Sequence, residues 1–289
     1  MSNAANFRNL LSSGKMIVAP GAIDCITGRA IAQAGFSAAY MTGAGTSATL
    51  GYPDYGLITM SEMVGNAGRI ANSIDIPLIS DSDTGFGNEL NVFRTVQEFE
   101  RAGVAAIHIE DQVFPKKCGH LDNKELVSRE DFIAKIRAAS AARKSRDFCI
   151  IARTDSRAVA GLDEAVERAN AALANGADVA FVEAPQTMEE IESVPKRVNG
   201  PCLLNVVRGG KTPEIDLDVA ERMGYAIAIV PGLLLGGIIQ TCDRLLGDLK
   251  QGKFPPVTGS PGKTFARFGA AEWDERRTAF RDPIKAAAE

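Results

Sequence analysis

Carboxylates follow two short apolar segments of this chain, at points where a buried strand would give way to a turn. Asp81 and Asp83 end the segment PLISDSD at 77–83, and Glu110 lies near the end of AAIHIED at 105–111. Carboxylates that converge in a buried site repel each other unless a cation lies among them. Oxygen ligands without sulfur favour Mg²⁺ or Mn²⁺ over zinc. The spacing therefore predicts a Mg²⁺ site, with Mn²⁺ as the other candidate ion. Helix capping by single aspartates is the alternative.

A cationic segment that contains a cysteine follows the second carboxylate segment. Residues 113–128 are VFPKKCGHLDNKELVS, in which Cys118 has two lysines before it and a histidine two positions later. Neighbouring cations lower the pKa of a thiol and increase its reactivity, and Gly119 gives the segment conformational freedom. We expect a mobile lid that carries an acid–base group, because closing lids often complete active sites.

Eight short apolar segments could form the strands that position these groups. They are rich in Val, Ile and Ala, as strands buried on both faces are, and helical patterns separate them. This alternation over about 250 residues predicts a (β/α)8 TIM barrel, whose active site lies at the carboxyl ends of the strands. A doubly wound open sheet is the structural alternative. The segments are 16–22, 38–44, 77–83, 105–111, 148–155, 178–185, 202–209 and 225–231.

No linker or low-complexity segment divides the chain, so we expect one domain over residues 1–289. Residues 253–289 lie beyond the eight units and form a C-terminal extension, with a helix predicted over 270–280. The most apolar window, 225–240, is shorter than the roughly 20 residues of a membrane span and contains Pro231. The start lacks the apolar run of a signal peptide.

The composition excludes one class of partner. The chain has 32 Lys and Arg against 36 Asp and Glu, for a net charge of -4. A balanced, mildly acidic chain argues against nucleic-acid binding through bulk positive charge, but not against a small anionic substrate. The five cysteines form no CxxC pair, which argues against a disulfide framework and a structural zinc site. We therefore expect a cytoplasmic protein without membrane or nucleic-acid partners.

The segment GAGTSA at 43–48 fits a weak dinucleotide-binding fingerprint after a strand. It follows the second strand rather than the first, and no acidic residue ends a strand about 20 residues later, as a ribose contact would require. A cradle of backbone N–H groups for a substrate carboxylate is the other interpretation.

Three motifs together resemble the isocitrate lyase / phosphoenolpyruvate mutase superfamily. They are DSDTGFG at 81–87, IEDQ at 109–112 and KKCGH at 116–120. The resemblance extends from APGAID at 19–24 to the eighth strand. The KKCGH motif is similar to that of the carbon–carbon lyase branch, which includes 2-methylisocitrate lyase and 2,3-dimethylmalate lyase.

The resemblance implies a (β/α)8 barrel and a homotetramer, built as a dimer of dimers whose subunits exchange the eighth helix. It also implies that a 2-oxo acid product binds Mg²⁺ held by Asp81, Asp83 and Glu110. The residues matched to catalytic positions are Cys118, Tyr40, Lys117, His120 and Glu183. The residues matched to substrate-binding positions are Thr42, Gly43, Ala44, Asp54, His108, Lys116, Gly119, Arg153 and Asn205.

These matches imply an enzyme that cleaves a small 2-hydroxy dicarboxylate of the 2-alkylmalate or methylisocitrate type by retro-aldol or Claisen chemistry. Tyr40 or a metal-bound hydroxide would take the hydroxyl proton, and Cys118 would protonate the carbanion. Two positions depart from the family pattern: the cradle has Thr42, and Gly232 stands where many relatives have a hydroxyl residue.

Other functions stay open at this stage. Within the superfamily they are phosphonomutase chemistry on a P–C bond, as in the carboxyphosphonoenolpyruvate enzyme, and hydrolysis or decarboxylation of oxaloacetate. From other classes they are a dinucleotide oxidoreductase and a non-catalytic binding protein.

Overall fold

The computed structural model describes residues 2–256 and 259–281. Its strands, numbered in chain order, are β1 Ile17–Ala22, β2 Ala39–Met41, β3 Leu78–Asp81, β4 Ala106–Glu110, β5 Cys149–Thr154, β6 Val179–Val182, β7 Cys202–Asn205 and β8 Ile227–Val230. They are parallel and form a closed barrel in which each strand pairs with the next. The barrel closes between β1 and β8, where Ile17 lies opposite Ile227. The predicted (β/α)8 barrel is confirmed, and every strand lies inside its predicted segment.

Helices connect these strands along the described chain. They are α1 Asn3–Leu11, α2 Cys25–Gln33, α3 Gly43–Thr49, α4 Met60–Ala71, α5 Glu89–Arg101, α6 Arg129–Ala142, α7 Ser156–Ala160, α8 Leu162–Ala174, α9 Met188–Arg197, α10 Leu217–Arg222, α11 Leu233–Lys250, α12 Pro261–Ala266 and α13 Ala270–Arg281. Because parallel neighbours need a crossover connection, at least one helix follows each of the eight strands.

Alternation of side chains along the strands sets up the site. Ile79 of β3 and Ile151 of β5 are fully buried in one apolar cluster, to which nearly every strand contributes. Successive strand residues point to opposite faces, so residues two positions apart point the same way. Asp81 and Arg153 therefore point to the same side as these two isoleucines, one step nearer the carboxyl ends of their strands. This spacing places charged side chains at the carboxyl end of the apolar barrel interior.

The chain divides into two compact units, Met1–Gly237 and Ile238–Glu289. In the second unit, α13 confirms the helix predicted over 270–280. The description of 1–289 as one domain with an extension from residue 253 stays a prediction, as does the exchange of the eighth helix between subunits. No helix among the described residues is long and apolar enough to cross a membrane.

Candidate active site

Polar residues from neighbouring strands meet at the carboxyl end of the barrel. Strand pairing places Asp81 of β3 opposite His108 of β4, and Glu110 of β4 opposite Arg153 of β5. All four side chains are buried, with His108 and Glu110 fully so. This placement brings together the strand-end residues that the sequence singled out.

The first carboxylate, Asp81, is held by the protein as an anion. Its Oδ1 accepts a hydrogen bond from the N–H of Asp83 at 2.9 Å, and its Oδ2 accepts one from Gly43 at 3.2 Å. Burial alone would raise the pKa of Asp81, but His108 and Lys116, together with the nearby arginine, lower it to about 2. Asp81 is therefore ionised at neutral pH.

The ionised forms of the other two carboxylates, Asp83 and Glu110, are less favoured than that of Asp81. Asp83 lies beyond the end of β3 with a φ of 46°, so it reaches the site from a turn and not from the strand. Burial raises the pKa of Asp83 to about 6, against the opposing effect of Lys116. Burial also raises the pKa of Glu110 well above its usual value. Bringing further positive charge to these groups would stabilise their ionised forms.

The free oxygen atoms of these carboxylates fit a hard cation. Both carboxylate oxygens of Glu110 and Oδ1 of Asp83 are buried and accept no hydrogen bond. Two cationic groups lie at ion-pair distance instead: Arg153 Nε is 3.2 Å from Glu110 Oε2, and Lys116 Nζ is 3.0 Å from Asp83 Oδ1. In the part of the chain that the structure describes, no three acidic, His or Cys side chains are yet arranged around one point as a metal site. The donor set is nevertheless all oxygen, which suits Mg²⁺.

Tyr40 and His108 form a buried pair beside Asp81. The Tyr40 hydroxyl lies 2.8 Å from His108 Nε2 and 3.5 Å from Asp81 Oδ2. Burial, assisted by Asp81, raises the pKa of Tyr40 well above its usual value. Burial also lowers the pKa of His108 to about 4. At neutral pH the pair is therefore a protonated phenol bonded to a neutral imidazole.

The segment after β4, residues 113–127, covers the mouth of the barrel and is called the lid below. Lys116 is buried, and its ammonium group lies 2.5 Å from Asp54 Oδ1 as well as 3.0 Å from Asp83 Oδ1. Lys117 is exposed and donates to the carbonyl of Asn123 at 3.3 Å. The structure thus brings Lys116 and Asp54 into the site and leaves the Lys117 side chain outside it.

Cys118 lies over the site with its thiol protonated. Its N–H donates to the carbonyl of Asp54 at 3.2 Å, which ties the lid to the segment after α3. The predicted lowering of the thiol pKa is wrong: burial raises the pKa of Cys118 above its usual value. Lys117 points away and the Lys116 ammonium group is paired with carboxylates. A protonated thiol suits an acid better than a nucleophile.

His120, Glu183 and Asn205 form a second polar cluster under the lid. His120 Nε2 lies 3.1 Å from Glu183 Oε1, and Asn205 Nδ2 lies 3.2 Å from both Glu183 oxygens. His120 Nδ1 accepts the backbone N–H of Lys211 at 3.0 Å, so the proton of the neutral ring is on Nε2. Burial would raise the pKa of Glu183, but Arg153 and His120 lower it. The cluster is a carboxylate that accepts hydrogen bonds from Asn205 and has the His120 ring at ion-pair distance.

Gly119 lets the lid approach this cluster closely. A Cβ atom at Gly119 would lie 2.4 Å from both Arg153 Nη2 and Glu183 Oε1. Arg153 itself stacks over Phe181, with its guanidinium carbon 5.1 Å from the ring centre. Burial would lower the pKa of Arg153, but Asp155 and other carboxylates raise it well above its usual value, so it stays charged.

The proposed N–H cradle begins α3 and is closely packed on Asp81. A Cβ atom at Gly43 would lie 2.4 Å from Asp81 Oδ2, so glycine is required there. Thr42 is buried at the N-cap, and Ala44 is half-buried. The glycine thus permits close contact with Asp81, one of the predicted metal ligands. At Gly232 no described heavy atom lies within 4 Å of the position of a Cβ atom, and the structure gives no reason for glycine there.

Sequence reasoning missed three buried residues that hold the site in place. Gln112 bonds to both the N–H and the carbonyl of Lys117, at 3.0 and 2.9 Å. Lys124 pairs with Asp155 at 2.8 Å. Asp155 could have been found because it directly follows β5, two residues after Arg153. Lys124 carries no such local signal, since its neighbours in the lid are exposed.

The chain is similar in sequence to known enzymes of one family. The family model described as phosphoenolpyruvate phosphomutase matches residues 7–249. A 2,3-dimethylmalate lyase from Eubacterium barkeri is 50% identical over 232 residues, or 80% of each chain. A 2-methylisocitrate lyase from Aeropyrum pernix is 43% identical over 244 residues, which is 84% of this chain and 79% of the relative.

Solved structures show the same fold. A crystal structure of 2,3-dimethylmalate lyase, described as a member of the PEP mutase/isocitrate lyase superfamily, has a TM-score of 0.91 and 40% identity, covering 95% of this chain and 94% of the other. Oxaloacetate acetylhydrolase with 3,3-difluorooxalacetate has a TM-score of 0.93 and 37% identity, covering 96% and 97%. Phosphonopyruvate hydrolase with oxalate and Mg²⁺ has a TM-score of 0.85 and 32% identity, covering 96% and 98%. The resemblance predicted from the motifs is confirmed: the chain belongs to the phosphoenolpyruvate phosphomutase family, within the isocitrate lyase superfamily.

Proposed function

We propose that this protein is a Mg²⁺-dependent carbon–carbon lyase that cleaves a 2-alkylmalate or a related 2-hydroxy dicarboxylate. The products would be a 2-oxo acid such as pyruvate and a second carboxylate. The observation that carries this proposal is the lid, which holds the protonated thiol of Cys118 over the buried carboxylates. The 50% identity to a 2,3-dimethylmalate lyase supports the substrate class.

The metal would be held by Asp81, Asp83 and Glu110, of which Glu110 and Asp83 have buried oxygens that accept no hydrogen bond. When bound, Mg²⁺ lowers the pKa of a coordinated hydroxyl group and polarises a neighbouring carboxylate. Mn²⁺ has the same preference for oxygen ligands.

The protein's own residues would bind and orient the dicarboxylate. Arg153 and Lys116 are fixed, buried cations that can pair with its carboxylates. The start of α3, at Thr42 to Ala44, would supply N–H groups for the carboxylate nearest Asp81.

Cleavage of the C2–C3 bond needs a proton acceptor on the C2 side, where the hydroxyl group is, and a proton donor on the C3 side. Tyr40 would accept the 2-hydroxyl proton as its own proton passes to His108 Nε2, 2.8 Å away. The C2–C3 bond then breaks, leaving a 2-oxo acid and a carbanion stabilised as an enediolate. Cys118 would give its thiol proton to that carbon, with Lys116, Arg153 and His120 stabilising the negative charge and Glu183 holding the His120 ring.

A substrate panel tests this function. The purified protein with Mg²⁺ is incubated with 2,3-dimethylmalate, 2-methylisocitrate, oxaloacetate and phosphonopyruvate, and pyruvate or other products are measured. We expect pyruvate from the alkylmalate, dependent on Mg²⁺ and lost with EDTA. Activity on phosphonopyruvate alone would overturn the lyase proposal. Hydrolysis of oxaloacetate alone would favour the second candidate, which the similarity to oxaloacetate acetylhydrolase supports.

We also propose that the enzyme works in the cytoplasm as a homotetramer that exchanges its eighth helix. All five cysteines are free, as a reducing compartment would keep them. The proposed helix is α11, which buries none of its residues.

A further inference from the structure

One lysine of the lid is buried although the residues on either side of it are exposed. The side chain of Lys124 is 1% exposed and that of its partner Asp155 is fully buried, at a distance of 2.8 Å. Lys124 also donates to the carbonyl of Gly119. A buried ammonium group needs such partners, because an unpaired charge is costly away from water. Lys124 therefore connects the lid at Gly119 to the turn that follows strand β5.

Asp155 connects this anchor to a substrate-binding cation. Its Oδ2 accepts from Arg153 Nε at 2.9 Å, and its Oδ1, which binds Lys124, also accepts from Arg153 Nη2 at 3.2 Å. Its own N–H donates to Asp111 Oδ1 at 2.8 Å, which fixes the turn after β5. One carboxylate thus orients the guanidinium group and holds the lid.

The two connections meet at Gly119. Its carbonyl accepts from Lys124, and its Cα is so close to Arg153 and Glu183 that a Cβ atom would overlap both. The lid therefore packs directly against the guanidinium group at Gly119. We infer that Lys124 is a positioning residue: it fixes the closed lid, with Cys118, against the same carboxylate that orients Arg153.

Alkylation of Cys118 tests this anchor without any assay of catalysis. Wild type and the variant Lys124→Met are treated with iodoacetamide, and each cysteine is quantified by mass spectrometry. We expect Cys118 to react at least tenfold faster in Lys124→Met. The buried Cys149 and Cys202 should stay unlabelled, which shows that the barrel is folded.

The matched control removes another ion pair from the same lid. Lys211 pairs with Asp122, and these side chains are 28% and 82% exposed. A pair with so exposed a partner contributes little, so Asp122→Asn, which removes this pair, should label like wild type. If Lys124→Met labels like wild type, the anchor is refuted. If Lys124→Met also exposes Cys149 and Cys202, the variant Lys124→Arg, which keeps the charge, decides between the outcomes. Labelling of Cys118 at a rate near that of wild type supports the anchor. Labelling of Cys118 as fast as in the unfolded protein refutes it.

The catalytic consequence rests on the proposed function and is measured separately. We expect Lys124→Met to lower kcat tenfold or more with a smaller change in KM, because the lid closes less often over bound substrate. An equal kcat in Lys124→Met and wild type would refute the positioning role. If no substrate is turned over at all, the lyase proposal fails while the alkylation result still stands.

Discussion

At the scale of single residues, the protonation state of Cys118 determines which chemistry the lid can perform. A thiol whose pKa is raised by burial stays protonated at neutral pH and can donate to a carbanion. We expect Cys118→Ser to lower the rate of cleavage by about 10²- to 10⁴-fold, the usual contribution of general acid catalysis. Product formation in steady state measures the loss, and Cys25→Ser is the control. Turnover close to wild type would remove Cys118 from this role.

The surroundings of Glu110 would favour a bound cation beside its carboxylate. Both of its oxygens lack a hydrogen bond, and burial raises its pKa. We expect Mg²⁺ at 100 times its dissociation constant to stabilise the wild type by about 2.7 kcal/mol. Glu110→Gln should lose most of this effect, whereas Glu98→Gln on the surface of α5 should keep it. Thermal unfolding with and without Mg²⁺ measures the shift, and an unchanged shift in Glu110→Gln would contradict the metal site.

At the scale of elements, the loop after β7 controls the ring of His120. The N–H of Lys211 donates to Nδ1, and this bond keeps the proton on Nε2, toward Glu183. Lys211→Pro removes that N–H while Lys211→Ala keeps it. We expect the Nδ1 and Nε2 ¹⁵N shifts of His120 to change only in the proline variant, together with a loss of activity. The chain has only two histidines, so the signals can be assigned. Identical shifts in both variants would contradict this role.

The strands and the order of their polar ends could be predicted from the sequence, because both depend on local patterns. Buried parallel strands are continuous apolar runs, and alternation decides which residues face the interior. The charge states could not be predicted in the same way. The lid sequence indicated a lowered thiol pKa for Cys118, whereas burial and the outward direction of Lys117 reverse it. Long-range partners such as Asp155 for Lys124 depend on the closed fold and not on neighbours in sequence.

At the scale of the whole molecule, α11 presents an apolar stripe to solvent. Ile239, Leu246 and Leu249 are 51%, 64% and 49% exposed, and with Cys242 they recur at helical spacing. We expect the 30.7 kDa chain to form a tetramer that buries this stripe. Leu246→Glu should give smaller species in light scattering after size exclusion, whereas Gln240→Glu should not. A monomeric wild type would contradict the proposed assembly.

The two halves of the barrel carry different parts of the chemistry. Asp81, Asp83 and Glu110 come from the half that contains β1 to β4, whereas Arg153 and Glu183 come from the half that contains β5 to β8. The lid leaves the first half and is held by both halves: the Cys118 N–H donates to Asp54, and Lys124 pairs with Asp155. Fragments cut at residue 128 would therefore each hold an incomplete site, with the three carboxylates and Lys116 in one and Arg153 and Glu183 in the other. Recovery of activity on mixing them would report reassembly of the barrel directly, because neither fragment could act alone.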